Sequence, residues 1–206
     1  MQASAVAIAV LAKAPVPGFA KTRLTPSLGA HAAAGLQERL TARAVATACA
    51  AETGPVTLWC AGDARHRSFL DLERQHSIPL QSQPDGDLGV RMMAAFEANG
   101  GPTLVTGSDC PALTATHLRA AAQVLRDEAD VVLIPAEDGG YVLIGARRPH
   151  AELFEGMIWG VPTVLADTRE RIAALGLASV ELGALWDVDT ESDYARLERE
   201  LPDLAL

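Results

Sequence analysis

The sequence predicts an α/β fold: a Rossmann-like, mostly parallel mixed sheet with helices on both of its faces. Short apolar runs rich in Val, Ile and Leu alternate along the chain with longer segments of helical pattern. Clusters of Gly, Pro and Asp separate these runs, as expected for the loops of such a fold. The chain has 206 residues, of which 49% are apolar, so it can form one core and is expected to be a single domain over residues 1–206.

The strands are predicted from short apolar runs bounded by turn residues. The first run, residues 5–11, is apolar on both faces, as in a buried parallel strand. Gly54 and Pro55 introduce the second strand, and Pro102 introduces the fourth. The predicted strands cover residues 5–11, 56–60, 78–81, 103–106, 131–135, 141–146 and 179–182.

The helices are predicted from periodic segments with capping residues. Thr25 and Pro26 supply an N-cap and a first-turn proline for a long alanine-rich helix. Asp63 is the expected cap of the next helix, and Thr190 or Ser192 is the expected cap of the last one. The predicted helical segments are residues 27–52, 63–75, a helix around 91–96, 114–128, 150–155, 162–175 and a closing helix after residue 190.

Composition excludes several classes of protein. The net charge of −9 argues against a nucleic-acid surface, which would need a basic stripe. No stretch approaches the roughly 18 uninterrupted apolar residues of a membrane-spanning helix. Cys49, Cys60 and Cys110 are widely spaced, which argues against a disulfide framework or a cysteine-rich zinc site, and Cys110 is expected to be an inert buried thiol. The sequence therefore predicts a soluble cytoplasmic protein.

The loop after the first strand, residues 12–24, is the first functional feature. Two prolines and Gly18 restrict this loop, and it carries Lys13, Lys21 and Arg23 without any acid. A stiff cationic loop between a strand and a helix N-terminus is suited to phosphate, because backbone N–H groups and cations both face the anion. It is not a Walker A sequence, since alanine precedes Lys21. The alternative is a solvated basic loop at a strand–helix joint.

Acidic residues follow at two later points. Asp109 comes directly after the fourth predicted strand, so it should emerge at the sheet edge that carries the cationic loop. A carboxylate there is placed to hold Mg²⁺ or Mn²⁺ on a nucleotide diphosphate. The alternative is that Asp109 caps the next helix, which Thr114 can also do. Asp187 and Asp189 precede the closing helix, and they either complete the metal coordination or act as helix caps.

Two further loops are candidates for the acceptor side of a site. Asp138, Gly139 and Gly140 form a turn whose glycines permit close approach of the backbone to a ligand. Asp138 is a candidate general base, and a plain Asp-Gly hairpin is the alternative. Trp159 lies in a Gly-Pro loop, where it either stacks on a sugar or base or covers the edge of the core.

Several short motifs occur in one order along nearly the whole chain. They are Ala12-Lys13-Ala14-Pro15 with Gly18, Lys21-Thr22-Arg23-Leu24, Gly86-Asp87-Leu88-Gly89 with Arg91-Met92, Gly107-Ser108-Asp109-Cys110-Pro111, Asp138-Gly139-Gly140-Tyr141 with Leu143-Ile144-Gly145, Trp159-Gly160 and Asp187-Val188-Asp189-Thr190. By these motifs the sequence resembles the glycosyltransferase-A-like nucleotide-diphospho-sugar transferase superfamily. Within it, the sequence resembles a bacterial group of small glycosyltransferases associated with arsenosugar biosynthesis or radical-SAM and selenium clusters.

The resemblance implies that a nucleotide binds at the first loop and a metal ion at Asp109. In the sugar-acid cytidylyltransferases of the superfamily, a Val-Asp-Thr element supplies a second metal ligand, which corresponds to Asp189 here. Typical glycosyltransferases of this fold carry Asp-x-Asp. This sequence departs from that pattern, because Gly107 and Pro111 lie two residues on either side of Asp109. The single acid leaves sugar transfer and nucleotidyl transfer open.

The sequence therefore predicts a metal-dependent transferase with a nucleotide-activated donor, a glycosyltransferase that moves a sugar from a nucleotide sugar to a small acceptor. One alternative is nucleotidyl transfer from a nucleoside triphosphate to a small phosphorylated or cofactor substrate, with release of pyrophosphate. Another is a nucleotide-binding module without catalysis.

The site residues are assigned to four groups. The predicted catalytic residues are Lys21, Arg23 and Asp138. The predicted nucleotide- and phosphate-binding residues are Ala12, Lys13, Gly18, Lys21, Thr22, Arg23, Gln83, Gly86, Asp87, Leu88, Gly89 and Ser108. The predicted acceptor-side residues are Gly139, Gly140, Tyr141, Trp159 and Gly160. The predicted ligands of Mg²⁺ or Mn²⁺ are Asp109, Asp189 and Asp187.

Overall fold

Seven strands form one sheet in the computed structural model, which describes residues 4–205. The strands are β1 (Ala7–Lys13), β2 (Val56–Ala61), β3 (Leu80–Ser82), β4 (Thr103–Gly107), β5 (Val131–Pro135), β6 (Tyr141–Ala146) and β7 (Ser179–Glu181). The helices are α1 (Thr25–Leu28), α2 (Ala30–Ala51), α3 (Arg67–His76), α4 (Leu88–Asn99), α5 (Ala115–Arg126), α6 (Val164–Ala174) and α7 (Glu191–Glu200). Short 3₁₀ turns cover Thr22–Leu24, Ala151–Leu153 and Pro202–Leu204. Residues 1–3 and 206 of the predicted domain lie outside the described range.

The strand order in the sheet is β3-β2-β1-β4-β6-β5-β7. Neighbouring strands are parallel except at β6, which runs antiparallel to both β4 and β5. The chain moves outward from β1 to β3 and then returns to place β4 beside β1, so the direction of winding reverses between β1 and β4. Ligands of such sheets bind beyond the carboxyl ends of the strands at this reversal. The structure confirms the predicted α/β fold with a mostly parallel mixed sheet.

Apolar side chains cover both faces of the sheet. Alternate residues of β1 point to opposite faces, because the side-chain period of a strand is two. Ile8 and Val10 belong to the cluster beneath α2, α3 and α5. Ala9 and Leu11 belong to the cluster beneath α4 and α6. Helices therefore lie on both faces, as the sequence predicts.

A third apolar cluster joins distant parts of the chain. Leu24 follows the first loop, Leu36 lies on α2, and Trp186 and Val188 precede α7. Leu24, Leu36 and Val188 have no exposed surface. Burial of large apolar side chains typically contributes about 1.5–3 kcal/mol each. This cluster therefore holds the first loop against the segment that precedes α7.

The long helix predicted over residues 27–52 is wrong at its N-terminal end. The structure has the four-residue helix α1, a break at Gly29, and α2 from Ala30 to Ala51. Gly29 has φ 82° and ψ 156°, a conformation that residues with a Cβ rarely adopt, so glycine permits the break. The N-terminus of a long helix therefore does not follow the cationic loop directly.

Two predicted helix caps are also wrong. Thr25 is the first residue of α1 rather than its cap, and its buried Oγ1 has no hydrogen-bond partner among the described residues. His66 caps α3, because its Nδ1 accepts a hydrogen bond from the Ser68 N–H at 3.3 Å. Asp63 instead closes a turn by accepting from the Arg65 N–H at 2.9 Å.

Other elements differ from the prediction mainly at their ends. β5 and β6 have the predicted bounds. β1 begins at Ala7 rather than residue 5, where it pairs with β4, and continues to Lys13, where it pairs with β2. The helical segment predicted at residues 150–155 is a 3₁₀ turn at Ala151–Leu153.

The cysteines are all free thiols, as the sequence predicts. Burial raises the pKa of Cys60 and of Cys110 to about 12, so both are protonated at neutral pH. A protonated buried thiol is a poor nucleophile, in agreement with the inert role expected for Cys110. Within residues 4–205, no helix is both long and apolar enough to cross a membrane.

Gly145 lies in β6 between the side chains of Leu104 and Val132. A Cβ at this position would lie 2.5 Å from Leu104 Cδ2 and 2.6 Å from Val132 Cγ1. Because overpacking a closed core typically costs about 1–3 kcal/mol, we expect Gly145→Ala to lower the free energy of unfolding in urea by that amount. Gly183→Ala is the control, since a Cβ there meets no atom within 4 Å. An equal effect of both substitutions would contradict close packing at Gly145.

Candidate active site

A cavity of about 660 Å³ lies at the carboxyl ends of β1 and β4, where the direction of winding reverses. Its volume is typical of a small-molecule site. The predicted site residues that line it are Ala12, Lys13, Lys21, Thr22, Arg23, Gln83, Leu88, Ser108, Asp109, Tyr141, Asp187 and Asp189. The predicted site residues outside its lining are Gly18, Gly86, Asp87, Gly89, Asp138, Gly139, Gly140, Trp159 and Gly160.

The Lys21 ammonium lies at the centre of the charged part of the cavity. Its Nζ donates to the Val188 carbonyl at 2.6 Å and forms ion pairs with Asp109 Oδ1 at 2.9 Å and Asp189 Oδ1 at 3.2 Å. The Lys21 side chain is 4% exposed, whereas those of Asp109 and Asp189 are 42% and 37% exposed. Burial lowers the pKa of Lys21, but the two carboxylates outweigh burial, so its pKa is raised and the ammonium stays charged.

The backbone of the first loop fixes the position of Lys21. Ala20 before it and Leu24 after it are fully buried. Lys21 has φ 47° and ψ 46°, a left-handed conformation that is uncommon for a residue with a Cβ. Such a conformation costs on the order of 1 kcal/mol and persists where the surrounding contacts hold it. The buried neighbours and the ion pairs therefore keep the Lys21 side chain in the cavity.

Asp109 follows β4 and reaches the cavity without capping a helix. The cap of α5 is Thr114, whose Oγ1 accepts a hydrogen bond from the His117 N–H. The alternative that Asp109 is the helix cap is therefore wrong. The Asp109 carbonyl accepts from the Val188 N–H at 2.9 Å, which fixes the segment before α7 to the end of β4.

Asp189 is positioned by the start of α7. Thr190 caps this helix in a capping box with Asp193, so Thr190 is the cap among the two predicted candidates. The Asp193 carboxylate also accepts from the Asp189 N–H at 3.1 Å. The Asp189 carboxylate is left for the cavity, where its Oδ2 lies 3.5 Å from Arg23 Nη1. Arg23 is 70% exposed, so solvent weakens this second ion pair.

Carboxylates outnumber cations in this part of the cavity. Burial first, and then the charges of nearby carboxylates, raises the pKa of Asp187 to about 6. Those carboxylates are Asp189, Asp138 and Asp109. Within residues 4–205, no group of three or more His, Cys, Asp or Glu side chains forms a metal-binding cluster. Mg²⁺ commonly binds one or two carboxylates together with phosphate oxygens and water, so these residues fit a divalent ion that arrives with phosphate.

The loop before α4 is tied to the strand ends at the cavity. Gln83 Nε2 donates to the Trp59 carbonyl at 2.8 Å and to the Ala12 carbonyl at 3.3 Å. Asp87 caps α4 by accepting from the Val90 N–H at 2.9 Å. Gln83 therefore fixes the loop at the cavity wall, and Asp87 fixes the first turn of the helix.

The turn between β5 and β6 packs against the segment that precedes α6. Asp138 Oδ1 accepts from the Gly140 N–H at 2.9 Å and closes the turn. Gly139 has φ 94°, and a Cβ there would collide with the carbonyl group of Pro162. Glycine at position 139 is therefore required by this backbone contact.

The two aromatic residues of the predicted acceptor side have different surroundings. The Trp159 ring stacks on Phe154 with 6.5 Å between ring centroids, and a Cβ at Gly89 would lie 3.0 Å from Trp159 Cζ2. Trp159 thus covers the edge of the core beside α4. Tyr141 lines the cavity, and its hydroxyl donates to Met92 Sδ at 3.9 Å.

Gln37, Phe19 and Arg91 also line the cavity, although none is a predicted site residue. Gln37 Nε2 donates to Ser108 Oγ at 2.9 Å, and Ser108 Oγ donates to Asp109 Oδ1 at 3.3 Å. Nothing in the sequence marks Gln37, because it is one polar residue in an alanine-rich helix. The sequence does mark the other two. Phe19 is an aromatic residue inside the cationic loop, and Arg91 is a cation just after a glycine-rich loop.

Residues 41–161 match the family DUF2064, described as an uncharacterized protein conserved in bacteria, and this match spans more than half of the chain. The chain belongs to the DUF2064 family. The part that matches DUF2064 includes Asp109, Asp138 and Trp159, whereas the first loop and Asp189 lie outside it. No curated protein matches the sequence.

Solved structures share the fold of this DUF2064 chain. A candidate nucleotide-diphospho-sugar transferase of Desulfovibrio desulfuricans G20 is 27% identical with a TM-score of 0.81, over 95% of this chain and 89% of that chain. A CMP:2-keto-3-deoxy-manno-octonic acid synthetase complexed with CTP is 11% identical with a TM-score of 0.61, over 97% and 99%. The Rv0371c protein of Mycobacterium tuberculosis H37Rv, in complex with manganese, is 15% identical with a TM-score of 0.53, over 95% and 100%. The latter two show the fold alone. The structure from Desulfovibrio desulfuricans G20, together with the family, supports the nucleotide-diphospho-sugar transferase superfamily.

The raised pKa of Asp187 makes stability depend on pH. Its ordinary pKa is 3.8 and its folded pKa is about 6, so between these values the folded protein binds more protons than the unfolded chain. Stability therefore falls as the pH rises through this window. Asp187→Asn has no carboxyl group to ionise at this position, so it does not lose stability in this way. We expect the metal-free variant to be more stable than wild type by about 1 kcal/mol at pH 7, with screening by solvent included, and the difference to vanish below about pH 4.

The measurement is the urea midpoint of both proteins in chelating buffer from pH 3 to pH 7. Asp203→Asn removes an exposed carboxylate of the C-terminal 3₁₀ turn and serves as the control, with no expected change at any pH. A difference between Asp187→Asn and wild type that stays constant with pH would argue against the raised pKa.

Proposed function

We propose that this protein is a metal-dependent transferase of nucleotide-activated donors, which moves a sugar from a nucleotide sugar to a small acceptor in the cytoplasm. The observation that carries the proposal is the buried Lys21 ammonium between Asp109 and Asp189, at the reversal point of the sheet. The same proposal places the protein in the bacterial group of small glycosyltransferases associated with arsenosugar biosynthesis or radical-SAM and selenium clusters.

The cations of the first loop suit the diphosphate of the donor. All three line the cavity: Lys21 is buried, Arg23 is 70% exposed and Lys13 is the last residue of β1. In the reaction they neutralise the negative charge that develops on the leaving nucleoside diphosphate. Charges that the fold already holds in place stabilise this state without reorganisation, which is commonly the largest contribution to catalysis.

Asp109, Asp189 and Asp187 are the residues that would hold Mg²⁺ or Mn²⁺. When bound, such an ion supplies Lewis-acid stabilisation of the phosphate oxygens. Lys21 holds two of these carboxylates close together, so the oxygen ligands are already assembled when the donor enters. Gln37 and Ser108 add a hydrogen bond that orients the Asp109 carboxylate.

The donor and the acceptor are assigned to different walls of the cavity. Gln83 and Leu88 frame the base and ribose, and Tyr141 faces the acceptor. Asp138 is the proposed general base for an acceptor hydroxyl. Asp138 does not line the cavity, and its Oδ1 accepts from the Gly140 N–H, so Oδ2 is the oxygen that remains for an acceptor hydroxyl.

Nucleotidyl transfer from a nucleoside triphosphate is the second candidate function. The single acid at the end of β4 favours it, because Gly107 and Pro111 occupy the positions in which an Asp-x-Asp sequence would carry another acid. Val188-Asp189, as in the cytidylyltransferases that the sequence resembles, favours it as well. Pyrophosphate rather than a nucleoside diphosphate would then leave.

Nucleotide binding is tested by thermal shift with a panel of nucleotides and nucleotide sugars, with and without Mn²⁺. A ligand that binds only the folded state raises the Tm by mass action. We expect one base series to raise the Tm, and to raise it further with Mn²⁺. Asp109→Asn should lose the Mn²⁺-dependent part, while the exposed control Asp203→Asn keeps it. An unchanged Mn²⁺ response in Asp109→Asn would sink the metal assignment.

The ammonium is tested with Lys21→Met, which removes the charge and keeps an unbranched side chain. We expect nucleotide affinity in calorimetry to fall at least tenfold, or about 1.4 kcal/mol, because the diphosphate then meets two uncompensated carboxylates. Lys13→Met, at an exposed position of the same cavity, is the control with a smaller expected loss. Full affinity in Lys21→Met would be incompatible with the proposed phosphate site.

The released product decides between the two reactions. With the donor that binding identifies and a panel of small acceptors, release of a nucleoside diphosphate supports sugar transfer. Release of pyrophosphate supports nucleotidyl transfer. Tight binding without turnover across a broad panel supports a nucleotide-binding module without catalysis.

A further inference from the structure

Arg91 carries a charge that nothing in the described part of the chain balances. Its Nε atom is buried and has no hydrogen-bond partner among residues 4–205. No carboxylate in that range forms an ion pair with its guanidinium. Four buried side-chain atoms in that range lack a partner, and only the Arg91 atom belongs to a residue that lines the cavity.

An unpartnered donor of this kind is costly. A buried polar group without a hydrogen bond typically costs about 1–3 kcal/mol, and more when it is charged. The other cations of the cavity avoid this cost, since Lys21 contacts two carboxylates, Arg23 contacts Asp189, and Lys13 is exposed to water. Arg91 Nε has neither a carboxylate partner nor contact with water. An anion supplied by a ligand would balance the charge of the guanidinium group as a whole.

Arg91 lies on a different side of the cavity from Lys21. It is on α4, and the next residue, Met92, packs into the apolar cluster of the α4 and α6 face. Met92 Sδ accepts from the Tyr141 hydroxyl at 3.9 Å, and Tyr141 also lines the cavity. Lys21 and its carboxylates lie beside α2 and α7, where Gln37 contacts Ser108. The cavity therefore has two separate places for negative charge.

The chemistry of the guanidinium defines the class of ligand. Its planar fork of N–H groups matches the two oxygens of a carboxylate or phosphate, which it binds through paired, charge-assisted hydrogen bonds. The proposed function already assigns the donor's diphosphate to the Lys21 side, and the base and ribose of the donor carry no charge. An anion bound at Arg91 in addition to that diphosphate is therefore assigned to the second substrate.

We propose that Arg91 binds a carboxylate or phosphate group of the acceptor, and that it makes the enzyme select anionic acceptors over neutral ones. The proposal rests on the proposed function, because that function places the diphosphate of the donor at Lys21. Among residues 4–205, the Arg91 guanidinium forms no ion pair and its Nε forms no hydrogen bond that a substitution could remove. Removal of its charge is therefore expected to leave the Tm of the ligand-free protein unchanged or higher.

The experiment uses small anions as probes of the whole protein. Calorimetry first measures the affinity of wild type, Arg91→Met and Arg91→Lys for the nucleoside diphosphate that the thermal-shift panel identifies, with Mg²⁺. Inorganic phosphate and acetate are then titrated into each protein saturated with that nucleotide, so that the Lys21 side is filled. Arg67→Met removes a 91%-exposed arginine on α3 and is the matched control.

We expect Arg91→Met to bind the preferred anion at least tenfold more weakly than wild type, and Arg91→Lys to lose less. Nucleotide affinity should stay within about twofold in both variants, and Arg67→Met should match wild type throughout. The stronger of the two wild-type responses identifies the acceptor group as phosphate or carboxylate. If Arg91 were only structural, its substitution would lower the Tm of the ligand-free protein. Loss of anion affinity in Arg91→Met with an unchanged Tm therefore indicates a binding role.

Three results would overturn the proposal: equal anion affinity in Arg91→Met and wild type, a tenfold loss of nucleotide affinity in Arg91→Met, and a lower ligand-free Tm in both Arg91 variants. The second would place Arg91 on the donor, and the third would make its role structural. Failure of wild type to bind any nucleotide would instead overturn the proposed function. An anion response of the free protein that Arg91→Met loses would then still support an anion site at Arg91.

Discussion

One buried ammonium determines how the carboxyl edge of the sheet is arranged. Lys21 Nζ brings together the end of β4 through Asp109 and the segment before α7 through Asp189 and the Val188 carbonyl. Removing one partner of a buried ion pair typically costs about 3–5 kcal/mol, because the other charge is left uncompensated. The contact therefore holds three distant segments in one arrangement. Around Lys21 the carboxylates of Asp109, Asp187 and Asp189 outnumber the cations, and a metal ion that arrives with phosphate can bind to them.

The fold could be predicted largely because strand signals are local. The apolar runs at residues 131–135 and 141–146 are bounded by turn residues, and the strands have those bounds. The break at Gly29 was missed because the residues on both sides favour helix, and one backbone angle decides the outcome. The caps at Thr25 and Asp63 were missed because a cap depends on where the first turn begins, which the pattern specifies poorly. The antiparallel direction of β6 could not be predicted either, because an apolar run has the same pattern in a parallel and in an antiparallel strand.

The candidate site was predictable as far as it depends on strand ends. Lys21, Asp109 and Asp189 follow strands or precede a helix at one edge, so topology alone brings them together. Gln37 and Arg91 enter from helices on opposite faces, where a polar residue facing the cavity has the same sequence pattern as one facing water. The glycines at positions 139 and 140 suggested contact with a ligand. At position 139 the missing side chain instead makes room for a neighbouring loop, a need that only the tertiary structure reveals.

The ion pair between Lys21 and Asp189 spans 168 positions of the chain. On the ribosome, the first loop therefore emerges long before its partner has been translated. Contacts so distant in sequence form late, since the intervening chain must close before they can contribute. A nascent chain that ends before Asp187 already contains the residues of all seven strands, yet it lacks Asp189, one of the two carboxylates that contact the ammonium. Ligand affinity would thus be acquired only after the segment before α7 has been translated.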